Sequence, residues 1–91
     1  MEFKKGNNMF YIGEGGETLA QIDFVSNEEN DIVIEHTIVS ETLKGQGIGV
    51  KLVKKVVDYA REKNKKIIPH CPYAKKVLEA TKEYEDVLKR L

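Results

Sequence analysis

The segment Lys44-Gly45-Gln46-Gly47-Ile48-Gly49 sets three glycines beside a cation, immediately ahead of an apolar stripe with helical spacing. Glycines there let a backbone approach a ligand closely, and the unpaired N–H groups of a first helical turn, with the positive end of the macrodipole, suit phosphate oxygens. The same turn also reads as a plain glycine-rich connection without a ligand. Two familiar phosphate motifs are excluded. A P-loop needs Gly-x4-Gly-Lys-Ser/Thr, which is absent, and the dinucleotide fingerprint Gly-x-Gly-x-x-Gly would need glycine where Val50 or Leu52 stands. His36 has an imidazole whose ordinary pKa of about 6.5 suits a proton acceptor, although a histidine on a strand also reads as half-buried and satisfied by a carbonyl. Cys71 stands directly before Pro72, and proline suits the first position of a helix, so the thiol falls at an N-cap, where its pKa is lowered. It reads equally as a small residue packed beneath a helix start. His70 adjoins it, but a tetrahedral zinc site needs more ligands than these residues and His36 supply, so no metal site is expected. Tyr73 is either a proton donor or a packing ring.

These groups must be positioned by the elements around them. The first forty residues alternate apolar and polar side chains and are punctuated by Gly13-Glu14-Gly15-Gly16 and Asn27-Glu28-Glu29-Asn30, which predicts strands over 9–12, 19–25 and 31–39. In the third of these, Ile32, Ile34, His36 and Ile38 should share one face, and Val33, Glu35, Thr37 and Val39 the other, so the strand is apolar on both sides and central. Leu52, Val53, Val56, Val57 and Ala60 form one stripe, predicting an amphipathic helix over 47–63 that Asn64 ends. A short strand over 66–69 follows. A strand–helix–strand order implies that it pairs parallel to 31–39. A second helix from Pro72 and a last helical stretch over 83–91 complete the chain.

Lys44-Gly45-Gln46-Gly47-Ile48-Gly49, placed between such a strand and such a helix, resembles the pyrophosphate-binding turn of the GNAT superfamily of acyl-CoA-dependent N-acetyltransferases, Gln/Arg-x-x-Gly-x-Gly/Ala. Lys44 replaces the usual Gln or Arg and keeps the charge. Residues 31–69 look like the core βαβ of that fold, and Cys71-Pro72-Tyr73-Ala74 is similar to a subgroup of very short GNAT-like proteins. The resemblance implies an α/β (α+β) architecture: a minimal GNAT-like fold with a mixed, mostly antiparallel sheet, a central βαβ unit and a C-terminal helix. It implies acetyl-CoA as cofactor, bound by Ile38 and Val39 through strand-like pairing with pantetheine and by Lys44, Gly45, Gln46, Gly47, Ile48 and Gly49 at the pyrophosphate. A backbone N–H of Ile38 or Val39 would stabilise the oxyanion. His36 would act as base, and Cys71 as proton donor to the departing thiolate or as a covalent acyl relay. The acceptor is an amine. The front helices usual in the superfamily are not recognisable, which opens the acceptor side and favours a bulky or protein acceptor. The alternative is a non-catalytic acyl-CoA-binding module that keeps the glycine turn and does not depend on Cys71.

The 91 residues suffice for a single domain, 1–91, because domains typically hold about 100–150 residues. Fifteen Lys and Arg balance fifteen Asp and Glu, so no long-range field argues for nucleic acid or an anionic membrane, and any anion site is local. No run approaches the roughly 18 apolar residues of a membrane span. The single cysteine cannot close an internal disulfide, which fits a reducing, cytoplasmic setting.

Overall fold

A computed structural model describes residues 2–89. Five strands form one sheet in the order β1-β2-β3-β4-β5: β1 (Lys4–Gly6), β2 (Met9–Glu14), β3 (Glu17–Ser26), β4 (Ile32–Val39) and β5 (Ile67–Pro69). The first four pair antiparallel, and β5 pairs parallel to β4. The mixed, mostly antiparallel sheet is therefore as expected. The β2–β3 hairpin turns on Gly15 and Gly16, at φ 60° and 84°, the left-handed pair that a two-residue turn between twisted strands needs.

Helix α1 (Ile48–Lys63) crosses from β4 to β5, and α2 (Pro72–Ala80) follows β5. Asn64 closes α1 in the left-handed conformation, φ 55°, with its N–H on the Ala60 and Arg61 carbonyls, so the expected helix end is met to the residue. The stripe Leu52, Val53, Val56, Val57 and Ala60 is wholly buried against Ile12, Ile22, Phe24, Ile32 and Ile34. Each large side chain removed from water there contributes about 1.5–3 kcal/mol. One face of the sheet thus makes the core with the helices, while Ile38 on the other face is 58% exposed.

The chain after α2 departs from expectation. A 3-10 turn (Lys82–Tyr84) and a further hydrogen-bonded turn over 85–87 lead into a short edge pairing, not a continued helix. Ile67 donates its N–H to the Val87 carbonyl and accepts from the Lys89 N–H, so 87–89 runs along the outer edge of β5. The strand edge offers partners that a continued helix would leave unpaired, and Val87 buries against the core. Residues 90 and 91 of the expected helix lie outside the described part, as does Met1. Among the described residues no helix is long and apolar enough to cross a membrane.

Candidate functional site

The site is set by an irregularity in β4. Asp23 pairs with His36 and Phe24 with Ile34, leaving Glu35 as an extra residue in β4. A bulge of this kind advances the side-chain alternation by one position. Thr37 and Val39 therefore fall opposite the buried Ile22 and Ala20, on the helix side, and His36 and Ile38 fall opposite Asp23 and Gln21 on the open side. The expectation that His36 shares a face with Ile32 and Ile34 is corrected accordingly. Its side chain is 70% exposed, with Nδ1 4.0 Å from the Asp23 carboxylate, a loose contact beyond hydrogen-bond range. Asp23 is held in turn by the Gln21 amide, which donates to Oδ1 at 2.7 Å.

Pairing between β4 and β5 stops at Ile34 and Pro69. The Ile34 carbonyl then accepts from both the His70 and the Cys71 N–H, at 2.9 and 3.1 Å, and the two strands diverge. Beyond that point no strand among the described residues lies beside the β4 edge. Ser40 donates its N–H to Leu19 of β3, so by strand alternation the backbones of Val39 and Thr37 face the open edge and that of Ile38 turns back toward β3. Of the two residues expected to pair with an extended ligand, Val39 is so placed and Ile38 is not. Thr37 takes its place, for the same reason that moved His36.

Cys71 occupies the mouth of this gap as the N-cap of α2, with Pro72 as the first helical residue. Its sulfur is nearly buried and donates to the Thr37 hydroxyl at 3.5 Å. Burial raises the thiol pKa, but the Thr37 hydroxyl and the amides of Ala74, Tyr73 and Thr37 outweigh it and leave the thiol below its ordinary value. The amides act through their orientation at the helix start, since Cys71 closes no side-chain cap hydrogen bond. Cys71 and His36 are not brought together: they stand on opposite sides of the sheet.

The glycine turn adjoins the same gap. Gly45 and Gly47 sit at φ 82° and 69°, a conformation that explains their identity, and a Cβ on either would meet open space. Gly47 caps α1, and its carbonyl accepts the first helical bond from Lys51 at 3.1 Å. The N–H groups of Ile48 and Gly49 precede that bond and have no intrahelical partner. Gln46 is exposed between the two left-handed glycines. Lys44 holds Glu41 at 2.9 Å in an exposed pair of the kind that contributes little and exchanges readily for another anion. Gly49 is buried against Tyr73, whose ring walls off the space between the starts of α1 and α2.

A cavity of about 410 Å³ joins these parts, lined by Thr37, Val39, Gly45, Gly47, Gly49 and Tyr73 among others. It offers outward amides at one end and a free strand edge along its length, and Thr37 in its lining carries the hydroxyl to which the Cys71 sulfur donates. Such a cavity can take a phosphate at the helix start, an extended chain beside β4 and an electrophilic carbon near the sulfur. Another cavity, about 320 Å³ between Lys5, Tyr59 and Lys63, has neither a helix start nor a nucleophile. Among the described residues no cluster of His, Cys, Asp and Glu could hold a metal ion. Thr37 is the site residue that sequence reasoning missed, because apolar residues on both faces of β4 hide the phase of its alternation.

Comparison with known proteins agrees with this geometry. Residues 9–87 match the family model described as GCN5-related N-acetyl-transferase. A GCN5-like protein from Staphylococcus aureus, solved by NMR, is 48% identical over 99% of this chain and 89% of its own, with a TM-score of 0.83. An acetyltransferase-type protein from Clostridium acetobutylicum, crystallised with acetyl-CoA, shares the fold at a TM-score of 0.58 and 20% identity over 79% of this chain and 54% of its own. A ribosomal-protein-alanine N-acetyltransferase from Brucella melitensis does so at 0.60 and 16% identity, over 91% of this chain and 62% of its own. The chain thus spans little more than half the length of these last two. No protein of curated function matches it.

Proposed function

The chain belongs to the GCN5-related N-acetyltransferase family, whose members draw their acetyl group from acetyl-CoA, and from that premise we propose that it transfers acetyl to an amine through the gap between β4 and β5. The observation that carries the proposal is the continuity of the free β4 edge with the glycine-rich start of α1, with the Cys71 sulfur at the point of divergence. The amides of Gly47, Ile48 and Gly49 would hold the diphosphate, with Gly45 and Gln46 shaping the turn and Lys44 exchanging Glu41 for a phosphate oxygen. Val39 would pair with the pantetheine amides as a neighbouring strand does. An N–H of this edge would meet the carbonyl oxygen as negative charge develops on it.

Cys71 acts in this reading as acyl relay. Its thiol ionises more readily than an ordinary one, which suits its separation from His36. The sulfur bonds to the acetyl carbon as the carbon–sulfur bond to CoA breaks and CoA leaves as thiolate. The amine nitrogen then bonds to the same carbon, the bond to Sγ breaks, and the thiolate returns. The proton released by the nitrogen leaves on water, which would carry it around the free edge of β4 to His36 beside Asp23 on the opposite side of the sheet from the sulfur. Among the described residues no helix covers the His36 side of the sheet, and an acceptor that reaches the gap from there around the β4 edge can be a bulky amine such as a peptide. The Cys71-Pro72-Tyr73 segment supports membership of a short subgroup of the family, and a free thiol acting as relay fits a reducing compartment.

The test is an amide-resolved NMR titration with acetyl-CoA, with intact mass recorded on the same sample. Shifts concentrated over 37–49 and one acetyl group on Cys71 are the expected outcome. Gly47→Val should abolish the shifts, and Cys71→Ser should keep them and lose the adduct. Shifts without adduct, and turnover that survives both Cys71→Ser and His36→Ala, would remove both residues from the mechanism. Binding without turnover would make the protein an acyl-CoA-binding module, and no shifts at millimolar ligand would end the acetyltransferase reading.

A further inference from the structure

Thr37 has no part in the family motif, yet three features of the fold converge on its side chain. The bulge at Glu35 turns it from the open face into the cavity. Its hydroxyl lies 3.5 Å from the Cys71 sulfur. Its amide, on the unpaired edge of β4, also faces that sulfur and favours its ionised form. We propose that Thr37 is a positioning residue for the acetyl transfer, holding the Cys71 sulfur at the mouth of the gap in the orientation from which it meets the thioester.

The contact reverses with ionisation. In the neutral form the S–H donates to the Thr37 oxygen, and in the thiolate the hydroxyl rotates and donates to sulfur, as a threonine hydroxyl can do from a fixed rotamer. Such a bond to the charged form lowers its pKa and fixes its direction together. Titratable neighbours do not account for the effect. Tyr73 of α2 and Lys44 line the cavity, His70 precedes the cysteine, Lys75 follows one turn later, and α1 presents only Gly47, Ile48 and Gly49; the groups that act on the sulfur are the uncharged hydroxyl and amides. Valine at this position would keep the β-branched shape facing Ile22 and remove the hydroxyl alone.

The inference rests on Cys71 as acyl relay, and the experiment separates the two. The rate of Cys71 alkylation by iodoacetamide is measured against pH, without acetyl-CoA, in the wild type, Thr37→Val and Thr37→Ser. Loss of one hydrogen bond to the thiolate should move the midpoint up by about one pH unit in Thr37→Val. Thr37→Ser should restore it. With acetyl-CoA and an amine acceptor, Thr37→Val should lower kcat about tenfold and leave KM for acetyl-CoA unchanged, since the diphosphate contacts lie elsewhere and an extended ligand would pair only with the Thr37 backbone, which valine keeps. Equal midpoints in all three proteins would overturn the proposal. If Thr37→Val does not fold, the wild type decides: its Thr37 amide resonance must titrate with the same midpoint as Cys71, and a flat Thr37 signal overturns the proposal as well. A shifted thiol profile in a protein that transfers no acetyl group would sink the relay and the positioning role with it, leaving the contact as structural. A flat profile beside active transfer would sink the Thr37 role alone.

Discussion

A methyl group added to Gly49 would come within 2.6 Å of the Tyr73 hydroxyl and 2.9 Å of its ring. Alanine ordinarily gains up to about 1 kcal/mol over glycine inside a helix, so here the intrinsic gain and the steric cost oppose each other. Gly49→Ala should therefore fail to stabilise the protein by itself, and should stabilise it by about 0.5–1 kcal/mol in a Tyr73→Ala background, as read from urea unfolding in a double-mutant cycle. Cys71 supplies the second residue-level test. Its folded pKa lies below the unfolded one, so the unfolded state binds the proton more tightly. The thiolate's contribution to stability is then complete above the ordinary thiol pKa of about 8.5 and is lost as pH falls through the lower folded value. Against Cys71→Ser, the wild type should gain stability as pH rises toward about 9, and parallel curves for the two proteins would contradict the depressed pKa.

At the scale of elements, signals that are local in the chain were legible and signals that depend on pairing were not. Asn64 announced the end of α1, Pro72 the start of α2, and the strand–helix–strand order the parallel β4–β5 pair. The bulge at Glu35 left no such mark, since Ile and Val on both sides of β4 fit either phase, and the correct placement of His36, Thr37 and Ile38 was lost with it. The edge-pairing segment after Tyr84 was equally hidden, because its partner is the edge of Ile67, some twenty residues earlier in the chain. That segment is fastened at its end by Lys89, whose ammonium holds the nearly buried Asp31 carboxylate at 3.1 Å, while Asp31 also receives Asn27. Removing the carboxylate leaves the cation without its partner and takes the 3.5 Å Asn27 contact from the β3–β4 turn, whose backbone bonds remain. Asp31→Ala should lower the urea midpoint more than Lys89→Met does, because the shortened side chain also vacates a buried position. In hydrogen exchange both should release the amides of Ile67 and Lys89 before those of α1.

For the molecule as a whole, small size amplifies ligand effects. A donor bound only by the folded state adds about 2.7 kcal/mol at a hundredfold excess over its Kd. In a domain of this length each kcal/mol moves Tm by about 4–8 °C, so saturating acetyl-CoA should raise Tm by roughly 10 °C or more. Gly47→Val should show no such rise. Overall charge neutrality does not prevent this, because the start of α1 at Gly47 directs its amides at the cavity and creates a local positive potential that the net count of charges conceals. The divergence of β5 from β4 has one more consequence, for behaviour at high concentration. Bare N–H and C=O groups on a strand edge are a template for any other extended chain, and with zero net charge nothing repels a second copy. Whatever occupies that edge in the working protein also shields it from self-association. Light scattering at rising concentration should find the ligand-free protein the less soluble form, and added CoA, which needs no acetyl group to cover the strand, should keep it monodisperse.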